Sequence, residues 1–131
     1  MGVVKTTYTN ENDILIAPEL AFALSCKIGN TGVSANSEGK KIIKAGTPLY
    51  VASGKSVVKD RDEVLTVSSA NSAVLSGIAR HDVDVTAGTE NDAILIAGYV
   101  DIYKLDSAVQ TAVTAVESDL TKITFIKGAK V

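Results

Sequence analysis

Apolar and polar residues fall in blocks along this chain, and the block lengths carry the first structural information. From Ala73 to Asp101 an apolar run, Ala-Val-Leu-Ser-Gly-Ile-Ala, is followed by the polar stretch Arg80 to Asp92. A second apolar run, Ala-Ile-Leu-Ile-Ala-Gly-Tyr-Val-Asp, comes next. Each apolar run is shorter than an ordinary globular helix, contains β-branched residues and is bounded by turn formers, which predicts two strands. Ala93 to Val100 is continuously apolar rather than alternating, so both of its faces need cover. One face fits the chain's own core, and the other a second layer or a neighbouring subunit. Gly77 and Gly98 lie inside these strands, where glycine marks a bulge, a bend or a close backbone approach.

The rest of the chain extends the pattern. Residues 1–18 read as a flexible arm: 1–13 are polar and aperiodic, and the apolar burst Ile14-Leu-Ile-Ala stops at Pro18. Residues 19–131 read as one domain. Glu11-Asn-Asp-Ile-Leu-Ile-Ala nearly repeats as Glu90-Asn-Asp-Ala-Ile-Leu-Ile-Ala, a polar turn leading into an apolar strand in both places. Leu20 to Ile28 reads as strand or helix, its apolar residues fitting either period poorly, and residues 29–39 have loop composition. Lys40 to Lys44 leads into the turn Ala45-Gly-Thr-Pro-Leu, with Pro48 holding Thr47 extended. Tyr50-Val-Ala and Val57-Val-Lys read as strands around a turn at Ser53-Gly-Lys-Ser56, and a charged loop, 60–63, precedes Val64-Leu-Thr-Val.

After Tyr103 the period becomes helical. Asp106 is placed to cap a helix over about 106–120, whose Val109, Ala112, Val113, Val116 and Leu120 share one face. Valines and threonines are weak helix formers, so this helix must lean on tertiary contacts. Ile123 to Gly128 closes as a short strand. The fold class expected is mainly β with one C-terminal helix: a compact β-clip-like or small-barrel domain with an N-terminal arm.

Composition narrows the function. A chain of 131 residues suits one domain with a real core. A net charge of −2 with scattered Lys and Arg lacks the basic footprint of a nucleic-acid binder. No apolar run approaches the roughly 20 residues of a membrane span, and the N-terminal segment lacks the layout of a secretion signal. A single cysteine, Cys26 in an apolar stretch, fits a buried thiol and synthesis in a reducing cytoplasm. Many aliphatics with few aromatics and no Trp suggest buried subunit contacts. Together with the apolar strand and helix face, this makes Val100, Val109, Val113 and Val116 the candidate residues of a homo-oligomeric interface.

Motifs for chemistry fail on spacing. A phosphate loop needs GxxxxGK[ST], but five positions before Gly54 stands Leu49. A calcium loop counted from Asp82 would place Ala87 and Ala93 where glycine and a bidentate glutamate belong. His81 is the only histidine, which leaves no second imidazole for zinc, and no nucleophile elbow accompanies it. The expectation is no catalytic residue, no metal, no cofactor and no small-molecule substrate.

Three segments in series carry a resemblance: Lys44-Ala-Gly-Thr-Pro-Leu-Tyr, Leu75-Ser-Gly-Ile-Ala with His81-Asp-Val-Asp-Val-Thr-Ala, and Ala93-Ile-Leu-Ile-Ala-Gly-Tyr-Val. In this order, over about residues 40–104, they resemble the head decoration proteins of tailed bacteriophages, the lambda type. The helix followed by Ile123-Thr-Phe is similar to the ending of head proteins from phages of Gram-positive hosts. The resemblance implies a β-clip type of fold and a homotrimer that clamps the major capsid protein from outside the virion. It also implies no enzymatic activity and no contact with nucleic acid or membrane. An N-terminal segment would add a strand to the capsid. Here that role is assigned to Ile14, Leu15, Ile16 and Pro18. Two rival readings share a β-clip: an antifreeze-like carbohydrate-binding or assembly module, and a trimeric β-clip enzyme.

Overall fold

The computed structural model describes residues 14–51, 57, 59, 60, 62–67 and 74–127. Most of the proposed arm (residues 1–13), the turn at Ser53–Ser56 and the end of the chain from Gly128 lie outside the described residues. Nine strands and one α-helix follow in order among those described: β1 (Leu15–Ile16), β2 (Phe22–Ile28), β3 (Ile42–Ile43), β4 (Pro48–Val51), β5 (Val64–Thr66), β6 (Val74–Ala79), β7 (Val83–Asp84), β8 (Glu90–Asp101), α1 (Ser107–Val116) and β9 (Ile123–Ile126). The mainly-β class with one C-terminal helix is the observed one.

Strands β8, β2, β5, β4 and β6 pair in that order, and β6 returns to pair with β8. The ring is therefore a small closed barrel, which removes the unpaired edges that an open sheet would present. Only β2 with β5 is parallel; the other four pairings are antiparallel. Cys26, Ile28, Leu49, Val51, Leu65, Ala79, Ile94 and Ile96 pack together, with Ile43, Val57, Val83 and Val85 completing the cluster. The buried Cys26 is a free thiol packed as a small apolar group.

A second core lies beside the first. Ile14, Leu15, Ile78, Leu95, Val100, Leu105, Val109, Val113, Leu120 and Ile123 form it. The long strand β8 serves both cores. Ile94 and Ile96 belong to the barrel, whereas Leu95 and Val100 belong to the second core. Beyond the barrel, β8 gains β1 on Tyr99 and Val100, and a parallel β9 on Gly98 to Asp101. The continuous apolar run is thus explained within the chain: its two faces meet two cores.

The glycines inside the strands mark close approach. At Gly77 an added Cβ would run into the backbone carbonyl of Leu95, where β6 closes on β8. Gly98 adopts φ +149 and sits against Ala21, close to a register shift between Phe22 and Ala23. Gly46, at φ +91, fits the Ala45-Gly-Thr-Pro turn beneath Leu105 and Val109. That turn is pinned from several sides. Gly46 N–H donates to the Ala79 carbonyl at 2.6 Å, Ala79 N–H to the Thr47 carbonyl at 3.0 Å, and Ala45 N–H to Asp82 Oδ1 at 2.8 Å.

Several local expectations need correction. Of the two alternatives for Leu20 to Ile28 the structure takes the strand, over Phe22–Ile28, with Leu20 ending a 3₁₀ turn that begins at Pro18. The polar stretch after β6 is not a simple connector, since β7 pairs antiparallel with β3. Val57 lies in a turn and is buried, so tertiary packing holds it rather than a strand ladder. Asp106 occupies the N-cap position of α1, but its carboxylate makes no capping hydrogen bond; its carbonyl accepts from Gln110 N–H at 2.9 Å. The α-helix ends at Val116 and tightens to 3₁₀ geometry over Glu117–Asp119. Ala112, expected on the core face, is exposed.

Candidate functional site

The sequence-derived site residues separate into two groups. Ile14 and Leu15 were expected to be offered to a partner, yet they are 1% and 7% exposed and lie in the second core. Asp101 N–H donates to the Ile14 carbonyl at 2.9 Å, and Leu15 stands in register with Val100. Their apolar character is spent on the chain's own β8, so neither is presented to a capsid. Residues 14–18 are accordingly not a detached arm. Ile16 is half-buried and Pro18 is exposed.

The proposed subunit-interface residues meet a similar correction. Val100, Val109 and Val113 are buried within the chain, and Val116 is half-buried against the same core. The helix face and the strand cover each other, with help from β1 and β9. No neighbouring subunit is needed to shield them.

Exposed apolar side chains occur instead at a place the sequence reading passed over. Leu20 is 63% exposed, Phe22 49% and Tyr99 40%. Phe22 is opposite Ala97 and Ile16 is opposite Tyr99. Ala97 and Tyr99 are two residues apart on β8, on either side of Gly98. Ile16, Pro18, Leu20 and Phe22 lie where the chain leaves β1, makes its 3₁₀ turn and enters β2, and Tyr99 stands opposite Ile16. Scattered single apolar residues on a surface need no explanation, but a contiguous group with two aromatic rings has the composition of a docking surface. The signal was present in the sequence. Leu20 to Ile28 fits no single period because it carries more apolar residues than one buried face can use.

A second feature is an open groove of about 620 Å³ lined by Ile14, Lys44, Ala45, His81, Asp82, Lys104, Leu105 and Asp106. Its charges are mixed and partly mutually engaged. Lys44 Nζ lies 3.7 Å from Asp82 Oδ2, and beside the groove His81 Nδ1 lies 3.5 Å from Asp92 Oδ1. Asp82 is also the side-chain support of the Ala45 turn, so much of this charge serves to hold two loops together. No Phe, Tyr or Trp lines the groove.

Two groups elsewhere have shifted protonation. Thr86, donating through both its hydroxyl and its backbone N–H, holds the exposed Asp84 carboxyl below the usual range. Burial, with a smaller contribution from the Asp119 charge, pushes the Tyr50 hydroxyl above its ordinary 10.0. Among the described residues no group of three or more His, Cys, Asp or Glu side chains gathers as metal ligands, and no helix is long and apolar enough to cross a membrane.

No family model, no curated protein and no solved structure matches this chain.

Proposed function

We propose that this protein is a structural capsid-decoration module that docks on the outer surface of a tailed-phage head and stabilises it. The observation that carries this reading is the exposed apolar cluster at Ile16, Pro18, Leu20, Phe22 and Tyr99. It has the composition of a protein-docking surface, and it includes Ile16 and Pro18, two of the four N-terminal residues to which capsid contact is assigned. The three segments that carry the resemblance also support it, because they build one framework. The Ala45-Gly-Thr-Pro turn is hydrogen-bonded to Ala79 and Asp82, and Ile78 stands in register with Leu95. Segments far apart in sequence thus form one seam between barrel and helix.

In this reading the contact surface moves from Ile14 and Leu15 to the turn that follows them. The partner is the major capsid protein, and the work is mechanical: several copies bridging capsid subunits make release require many simultaneous breaks. Apolar contacts would lie at the centre of each contact, where aromatic anchors contribute most.

The test is co-sedimentation with purified phage heads lacking their own decoration protein. Wild type should pellet with the heads and raise their resistance to heat. Leu20→Asp with Phe22→Asp, both exposed positions, should keep the melting curve and lose pelleting. Failure of wild type to pellet, or equal pelleting of the double variant, overturns the reading.

A further inference from the structure

The solvent side of α1 has an unusual composition. The helix, Ser107–Val116, carries no charged side chain, although the outward face of a globular helix ordinarily does. That uncharged side lines an open groove of about 560 Å³, the size of a small-ligand site. Tyr103, from the 3₁₀ turn after β8, and Lys127, just past β9, line it as well.

Hydrogen bonds to the helix backbone decide what the groove can bind. Thr114 Oγ1 donates to the Gln110 carbonyl at 2.7 Å, Thr111 Oγ1 to the Ser107 carbonyl at 3.3 Å, and Gln110 Nε2 to the Leu105 carbonyl at 2.9 Å. With each hydroxyl proton committed to the backbone, both threonines present lone pairs to a ligand, and Gln110 keeps its Oε1 as an acceptor. The three residues are neighbours at helical spacing, so the ligand must bring several donors side by side. It must also be neutral. No Asp or Glu lines the groove to hold a cation, and an anion drawn to Lys127 would meet the row of lone pairs. Tyr103 is 39% exposed and offers an aromatic surface to an apolar face. A pyranose combines these properties: adjacent hydroxyls that donate, and a ring face made of C–H groups. Its oxygens can accept from the Lys127 ammonium.

We propose that the groove between α1, Tyr103 and Lys127 is a binding site for a neutral saccharide unit. The sugar ring stacks on Tyr103, and its hydroxyls donate to Gln110, Thr111 and Thr114. The site is independent of the capsid reading, because none of Ile16, Pro18, Leu20, Phe22 and Tyr99 lines it.

The test is an NMR titration of the isotope-labelled protein with maltose, cellobiose and di-N-acetylchitobiose in turn, at tens of millimolar. At least one sugar should shift the amides of Tyr103, Gln110, Thr111, Thr114 and Lys127 saturably, while arginine and inorganic phosphate leave them in place. Tyr103→Ala should weaken that sugar roughly tenfold, and Tyr103→Phe should retain it. Thr114→Val, a near-isostere at an exposed position, removes one acceptor and should weaken binding roughly fivefold. It keeps the test decisive should Tyr103→Ala melt early. Native gels cast with soluble starch, hydroxyethylcellulose or glycol chitin then separate two sources of the same chemistry: retardation assigns a glycan chain, and unchanged migration a free disaccharide. No saturable shift from any of the sugars overturns the proposal. So do shifts confined to other surfaces, and so does a Thr114→Val protein that binds as wild type does.

Discussion

The two cores of this molecule are built from different kinds of material. The barrel interior is lined by side chains from strands that ring it completely, and Ile28, Leu49, Val51, Leu65 and Ile94 have no exposed surface at all. The second core is assembled from the outer segments of the described chain. Ile14 and Leu15 come from one side, Leu105 through Ile123 from the other, and Ile78, Leu95 and Val100 are borrowed from barrel strands. Its members are slightly less enclosed, with Leu15, Val109 and Leu120 at 7%, 6% and 6%. The barrel is closed by its own hydrogen bonds, whereas the second core is closed only when separate segments dock. It should therefore open first.

The largest expected effects sharpen this contrast with one chemistry at two sites. Leu65→Ala, in the barrel wall, should cost about 4 kcal/mol, because closed strands cannot collapse into the cavity. Leu120→Ala, in the second core, should cost about 2 kcal/mol, since a segment after the helix can settle inward. Urea unfolding of both variants measures the pair, and equal losses would break the distinction. Ile14→Asp should come close behind, at about 3 kcal/mol, because a carboxylate cannot enter the second core and β1 must undock. Hydrogen exchange should then accelerate in α1 and β9 while the barrel strands keep their protection; uniform acceleration would mean the two cores open as one.

Gly46→Ala addresses the seam between turn and helix. The new methyl group meets the side chains of Leu105 and Val109 at a backbone φ of +91, so a loss of about 2 kcal/mol is expected in thermal melts. Ala17→Gly should act in the opposite direction and raise stability by about 1 kcal/mol, since only the Cβ opposes the observed backbone of φ 55.

The smallest expected effect is a pH dependence in the barrel wall. Tyr50 has a folded-state pKa above that of the unfolded chain. Its contribution is full below the ordinary 10.0 and is lost as pH rises through the folded value, because the unfolded tyrosine releases its proton first. Asp119→Asn should bring the Tyr50 transition part of the way back toward 10.0 in an absorbance titration, leaving the larger shift from burial. At the other end of the scale, Thr86→Ala should raise the Asp84 carboxyl toward its usual range in an NMR titration.

How much of this was legible depends on whether a feature is local. The block pattern was enough for the strands at 74–79 and within 90–101, the helix beginning near 106 and the strand at 123, since period and turn residues act over a few positions. The glycine readings at 77 and 98 held for the same reason: a Cβ was missing where backbones approach. The exposed apolar group was half legible. Its position near Pro18 was indicated, but burial divided the apolar residues differently, taking Ile14 and Leu15 inward and leaving Leu20 and Phe22 outside.

By itself the sequence determined which segments extend, where they turn and which side chains require cover. It could not say what supplies that cover. The continuous apolar face of residues 93–100 is equally consistent with a second layer and with a neighbouring subunit, because hydrophobic burial is non-directional and depends on area rather than on the partner. Tertiary structure made that choice through long-range pairing. Barrel closure between β6 and β8, the crossing of one strand through two cores, and the docking of residues 14–16 against β8 decide which apolar residues remain at the surface.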